Sequence, residues 1–185
     1  MLEKNWNDLI TPSNVVITAK DGDIKGTVVA EPIERGYGLT IGNSLRRVLL
    51  SSLQGAAITA IKIENVLHEF TSIPGVREDV VDLILNIKNI SVKSHIEGAS
   101  KVSLTATGPC EVTAGMIQSN ANVEIKNTDL VLCHLDKDSE LNIEFTINTG
   151  RGYSPAANNK PEDAPIGLIP IDAIFSPIKT VSYKI

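Results

Sequence analysis

Aromatic side chains are scarce in this chain: one Trp, three Tyr and three Phe among 185 residues, or 4%. A surface that stacks the bases of single-stranded nucleic acid needs several of them, so that class of ligand is disfavoured from the start. Positive charge is not in excess either. Seventeen Lys and Arg stand against 22 Asp and Glu, giving a net charge of -5 and a pI near 5.2. No overall field draws a phosphate backbone to this protein. Cysteine is nearly absent, with Cys110 and Cys133 alone. One disulfide is the most they allow, and in a chain without an export signal they are expected as reduced, apolar core residues. No apolar run approaches the ~18 uninterrupted residues of a membrane span. The opening MLEKNWNDLITPS carries acidic residues early and lacks the apolar stretch of a leader. The expectation is a cytoplasmic chain with no membrane contact, folded as one domain or two small ones.

Catalytic constellations are missing as well. The three histidines, His68, His95 and His134, are scattered, and no C-x-x-C, H-x-x-x-H or H-E-x-x-H spacing exists. His134 follows Cys133, but neighbours on a strand point to opposite faces and do not readily share a metal. There is no G-x-S-x-G elbow. Glu78, Asp79 and Asp82 are better explained as a solvated helical first turn that complements the dipole than as metal ligands. The turn GYGLTIGNS superficially resembles a phosphate cradle, yet Asn43 and Ser44 follow Gly42 where a P-loop needs Lys and a hydroxyl. A dinucleotide fingerprint would need a parallel βαβ setting that the surrounding pattern does not offer. No catalytic residue, cofactor or metal is expected.

What the sequence does contain is alternation with period two. Leu141, Ile143, Phe145 and Ile147 fall on one face, against Asn142, Glu144, Thr146 and Asn148 on the other, a half-buried antiparallel strand. Weaker alternation predicts strands over 15–20, 25–30, 57–64, 101–107 and 181–185. Leu130–Leu135 is apolar on both faces and is expected centrally in a sheet. Helical signals are few. Glu78–Lys88 has Val80, Val81, Ile84 and Ile87 at inward spacing behind Pro74 and Gly75. A short helix fits 113–118. The stretch 149–165, TGRGYSPAANNKPEDAP, lacks periodicity and is expected as a long loop, either functional or mobile.

The most informative segment is 31–52, EPIERGYGLTIGNSLRRVLLSS. Ile41, Leu45, Val48, Leu49 and Ser52 recur at i, i+4, i+7, i+8 and i+11, a helical stripe with Thr40 as the expected N-cap. Gly36, Gly38 and Gly42 give the backbone a tight approach to that helix. No second helix of matching length is available to cover the stripe, which points to another protein and to assembly rather than catalysis. Arg46 and Arg47 stand out on it. Leu45, Val48, Leu49 and Leu50 take most of the circumference, so an arginine there is suited to anchor a partner's carboxylates or carbonyls.

Several motifs then carry a resemblance. PIERGYGLTIGNSLRRVLLSSLQGAAIT, VLHEF, PGVREDVVDLILNIK, GPCEVTAGMI, GRGYSPA and PIGLIPIDAIFSPI, in this order from about Ile24 to the last residue, resemble the alpha-subunit family of bacterial DNA-directed RNA polymerases. The resemblance covers that family's N-terminal assembly domain. It implies an α+β fold in two subdomains: a dimerisation subdomain, 1–54 plus 177–185, with a glycine-led amphipathic helix packed on antiparallel strands, and an inserted, mainly-β subdomain, 55–176. It implies a non-catalytic scaffold within a nucleotidyltransferase complex. Two copies would dimerise through Tyr37, Ile41, Leu45, Val48 and Leu49. Arg46, Arg47 and Leu50 would contact the β subunit, and Lys88 and Ile171 the β′ subunit. The family domain continues into a further long helix, a linker and a promoter-binding domain. The expectation is therefore a chain truncated at Ile185, without direct promoter-DNA binding by the usual route. The competing expectation is a free-standing β-rich module holding a small ligand near the glycine-rich turn.

Overall fold

The computed structural model describes residues 8–19 and 24–185. The first seven residues, including most of the stretch read against a leader, and Lys20, the end of the first expected strand, lie outside the described residues. Two compact units are found: Met1–Val48 with Val181–Ile185, and Leu49–Thr180.

The first unit holds a hairpin of β1 (Asn14–Thr18) and β2 (Thr27–Glu31), paired antiparallel with Val16 opposite Val29. Its helix α1 runs over Tyr37–Ser51, starting four residues earlier than an N-cap at Thr40 implied. The reason lies in Gly36, whose φ of 89° is a left-handed conformation open to glycine, so the chain turns immediately before Tyr37. Residues 181–185 are not the strand that their alternation suggested. They instead occupy the space left by the glycines of α1: a Cβ at Gly38 would sit 2.8 Å from Ile185 Cγ2, and one at Gly42 2.6 Å from Tyr183 Cδ2. Close packing on a missing side chain has overridden local strand pattern.

The second unit carries the core. A six-stranded antiparallel sheet joins β5 (Ser100–Thr107), β9 (Glu140–Arg151), β3 (Gln54–Ile63), β4 (Val92–Ser94) and β7 (Val123–Ile125) in that order, with β11 (Leu168–Pro170) also on β3. Leu141, Ile143, Phe145 and Ile147 of β9 are all buried, as their alternation required. β5 alternates buried and exposed throughout. Helix α2 (Val80–Ile87) starts at Asp79, whose carboxylate accepts the Asp82 N–H at 2.8 Å as an N-cap. Its buried residues are Val80, Leu83 and Ile87, so the expected inward Val81 gives way to Leu83.

Leu130–Leu135 corresponds to β8 (Val131–Leu135), which pairs with β6 (Cys110–Thr113) in a two-stranded sheet, bridges Val76 from Leu135, and is not central in a larger sheet. Helix α2 packs against β8, and its Asn86 side chain donates to the Leu132 carbonyl at 2.8 Å. The short helix near 113–118 is a single 3-10 turn, Ala114–Met116. The expected long loop is largely structured. After β9 the chain forms β10 (Tyr153–Ser154), which pairs with β12 (Ala173–Ile174), and one short helix, α3 (Ala156–Asn159). Among the described residues no helix is long and apolar enough to cross a membrane.

Candidate functional site

Helix α1 has no buried residue along its 15 positions. Tyr37, Ile41, Leu45 and Val48 are all exposed, Leu45 by 55%, and Leu49 and Leu50 are half-buried. Leu39, outside the expected stripe, is exposed as well. An apolar stripe of this width on a helix normally faces a core; here it faces outward. Arg46 and Arg47 are exposed on the same helix. Arg46 is tied within its own unit, its Nε donating to the Val181 carbonyl at 3.3 Å. The glycine-rich turn does not form a ligand cradle: the free faces of Gly38 and Gly42 are filled by Ile185 and Tyr183.

The second group of expected residues lies in the other unit. Lys88, just past α2, and Ile171, between β11 and β12, are far apart in sequence but line one hollow of about 210 Å³. Ile171 is 2% exposed and acts as its floor rather than its rim. Surface contact is offered instead by Asp172 next to it. The Lys88 ammonium donates to Asp172 Oδ2 at 2.9 Å, and the Ala156 N–H donates to Oδ1 at 2.8 Å. The lysine first and the amide second hold the Asp172 carboxyl below its ordinary value. Asn159 Nδ2 donates to the Ile171 carbonyl at 2.7 Å, so α3 fixes this corner from the other side. Apolar residues complete the hollow: Phe70, 80% exposed, with Val81 and Leu85. Phe70, Leu85 and Asp172 were missed from sequence. Phe70 ends the VLHEF motif, and Leu85 is an apolar helix residue out of phase with the buried stripe; those were the available signals.

A further polar cluster also escaped the sequence. Glu78, read as part of a solvated first turn, is only 20% exposed in its side chain and reaches β8. The His134 backbone N–H donates to its Oε2 at 2.7 Å and the ring Nδ1–H to its Oε1 at 2.6 Å. Glu111 Oε1 stands 3.5 Å from His134 Nε2. Burial alone would raise the Glu78 pKa, but the His134 donors outweigh it and the carboxyl lies below its ordinary value. On the opposite face of β8 the Cys133 thiol is pushed up to about 12, by burial first and then by Glu78 and Cys110, so it is a weak nucleophile. Both cysteines are free thiols. Among the described residues no group of three or more His, Cys, Asp or Glu is placed to hold a metal ion.

Residues 61–176, more than half of the chain, match the family model described as the RNA polymerase Rpb3/RpoA insert domain. The matched span includes Lys88, Phe70, Ile171 and Asp172, and excludes helix α1.

Proposed function

The chain belongs to the RNA polymerase Rpb3/RpoA insert-domain family, and on that premise we propose that it is a non-catalytic scaffold on which the large polymerase subunits assemble. As a member of this family it is a subunit of a nucleotidyltransferase complex. In the proposed role two copies pair through the outward stripe of α1, Tyr37, Ile41, Leu45, Val48 and Leu49. Arg46, Arg47 and Leu50 then contact β. Lys88, standing over the buried Ile171, contacts β′ together with Asp172 and the apolar rim of Phe70 and Leu85. The dimerising part is 1–54 with 177–185, and 55–176 is the insert.

One observation carries this reading: a 15-residue amphipathic helix without a single buried side chain. Exposed apolar area of that kind is stabilised when a partner removes it from water, at roughly 25 cal/mol per Å². The test is native mass spectrometry of the chain alone and mixed with purified β subunit. A species of two copies with one β is expected. Arg47→Ala should leave the fold intact and lower β capture by a factor of roughly thirty to a thousand, the effect of losing ~2–4 kcal/mol at an interface arginine. An unchanged yield of complex with this variant would refute the role given to Arg47.

A further inference from the structure

A second concavity of the second unit is separate from the Phe70 hollow, sharing with it only Lys88. It is a half-open trough of about 1030 Å³. One wall is the unbroken run of residues 88–97 and the other the unbroken run 174–179. Two continuous stretches of chain in the lining suit a polymer segment better than a small molecule held by scattered residues. Ile90, Val92 and Phe175 give it an apolar floor.

Its charge is opposite to that of the protein. Among the described residues that line it are Lys88, Lys93, Lys126 and Lys179, against one acidic residue, Glu97, in a chain whose net charge is -5. Local pairing does not cancel the excess. Lys88 is matched by Asp172 at 2.9 Å. Glu124 lies within reach of several basic groups: Lys126 Nζ is 2.6 Å from it, His95 Nε2 is 3.9 Å away, and Lys93 stands opposite it in the β4–β7 register. These basic groups first pull the Glu124 carboxyl below its ordinary value through Lys126. Three lysines, Lys93, Lys126 and Lys179, against two carboxylates, Glu97 and Glu124, leave a positive charge to be met from outside.

We propose that this trough is a docking groove for an extended acidic segment with interleaved apolar residues, supplied by a partner polypeptide. This rests on the scaffold reading given above and names the chemistry of the partner segment it would hold. A polypeptide fits better than a nucleic acid. The floor has aliphatic side chains and one deeply set Phe in place of exposed stacking platforms, and the negative net charge of the whole chain repels a long polyanion. A short acidic segment feels mainly the lysines beside it, since salt screens charges beyond ~8–10 Å.

The experiment uses the whole chain and three fluorescent probes: a ten-residue peptide alternating Glu and Val, its Lys–Val counterpart, and a single-stranded oligothymidylate. Anisotropy titrations should show the Glu–Val peptide binding at least tenfold tighter than the Lys–Val peptide. Affinity should fall about tenfold or more in Lys93→Glu/Lys179→Glu, and also on raising salt. Lys62→Glu/Lys137→Glu changes net charge equally at positions outside the trough and should bind like the parent. Equal binding of the two peptides, equal loss in both double variants, or tighter binding of the oligonucleotide would overturn the proposal. The scaffold reading is scored separately by β capture: full capture by Lys93→Glu/Lys179→Glu together with no peptide preference would sink the groove and leave the scaffold standing. Peptide preference with no capture would do the reverse.

Discussion

Glu78 is the residue whose surroundings differ most from what its neighbours in sequence suggest. It stands just before the Asp79 cap of α2, yet its carboxylate is committed to His134 on β8, accepting a backbone and a ring N–H at 2.7 and 2.6 Å. The consequence is a definite pH dependence. The native carboxyl titrates below its ordinary value of 4.5, so the native state binds fewer protons than the unfolded one as pH falls into this range. The stability contributed is complete above about 4.5, the unfolded value, and is lost as pH drops through the lower native value. Glu78→Gln should cost about 1 kcal/mol at neutral pH, at the low end for a charged hydrogen bond because the site is partly open to solvent. The gap between variant and parent should close as pH falls below about 4.5 through the lower native value, read from urea midpoints on acidification; parallel curves would contradict the assignment. Nothing local announces this pairing. Glu78 and His134 are 56 positions apart, and the pattern E-D-V-V-D is equally that of a solvated first turn. By contrast Asp79 was legible as a helix-start residue, because capping depends on positions only three apart.

At the scale of elements, legibility follows how much of the outcome a periodic pattern decides. β5 and β9 were readable because each has one wet and one dry face, which period two records directly. Helix α2 was readable as a helix but not in its orientation. Its sequence, VVDLILNI, is apolar at all but two positions, so several stripes are available and the sheet beneath selects one. That selection puts Leu83 at 0% exposure and leaves Val81 37% exposed. Leu83→Ala should therefore cost about 2–5 kcal/mol, the range for a buried leucine whose cavity cannot fully collapse. Val81→Ala should cost well under about 1 kcal/mol at its exposed site. Guanidinium unfolding of the pair decides between the observed face and the one expected from sequence; equal costs would mean that α2 is rotated in solution. The corner at 149–165 was unreadable for another reason. It is held by single polar contacts, Ala156 to Asp172 and Asn159 to Ile171, which leave no repeating signature in the chain.

Taken whole, the molecule places its core unevenly. Every buried apolar side chain among the described residues falls between Ile58 and Phe175, inside the second unit. The first unit contributes exposed ones instead: Val15, Ile17 and Val28 on its hairpin, and Leu39, Ile41, Leu45 and Val48 on α1. A unit without a buried core cannot offset the conformational entropy of ordering its chain, about 1–2 kcal/mol per residue, from its own contacts. In the pairing proposed for α1 that order draws on association, and association obeys mass action. The resemblance in sequence suggested the partner, and the distribution of burial is the physical ground for the proposal. Hydrogen exchange measured over a hundredfold dilution should separate the two units. Amides of β1, β2 and α1 should lose protection on dilution, by about 2.3 kcal/mol if the partner stands a hundredfold above its dissociation constant at the higher concentration and at that constant at the lower. Those around Leu104 and Phe145 should not change. Leu45→Glu places a charge in the middle of the stripe and should abolish the concentration dependence, leaving the first unit fast-exchanging throughout. Protection of the hairpin that is strong and indifferent to concentration would show that the first unit is stable alone, and would remove the physical ground for the proposed pairing of α1 with a second copy.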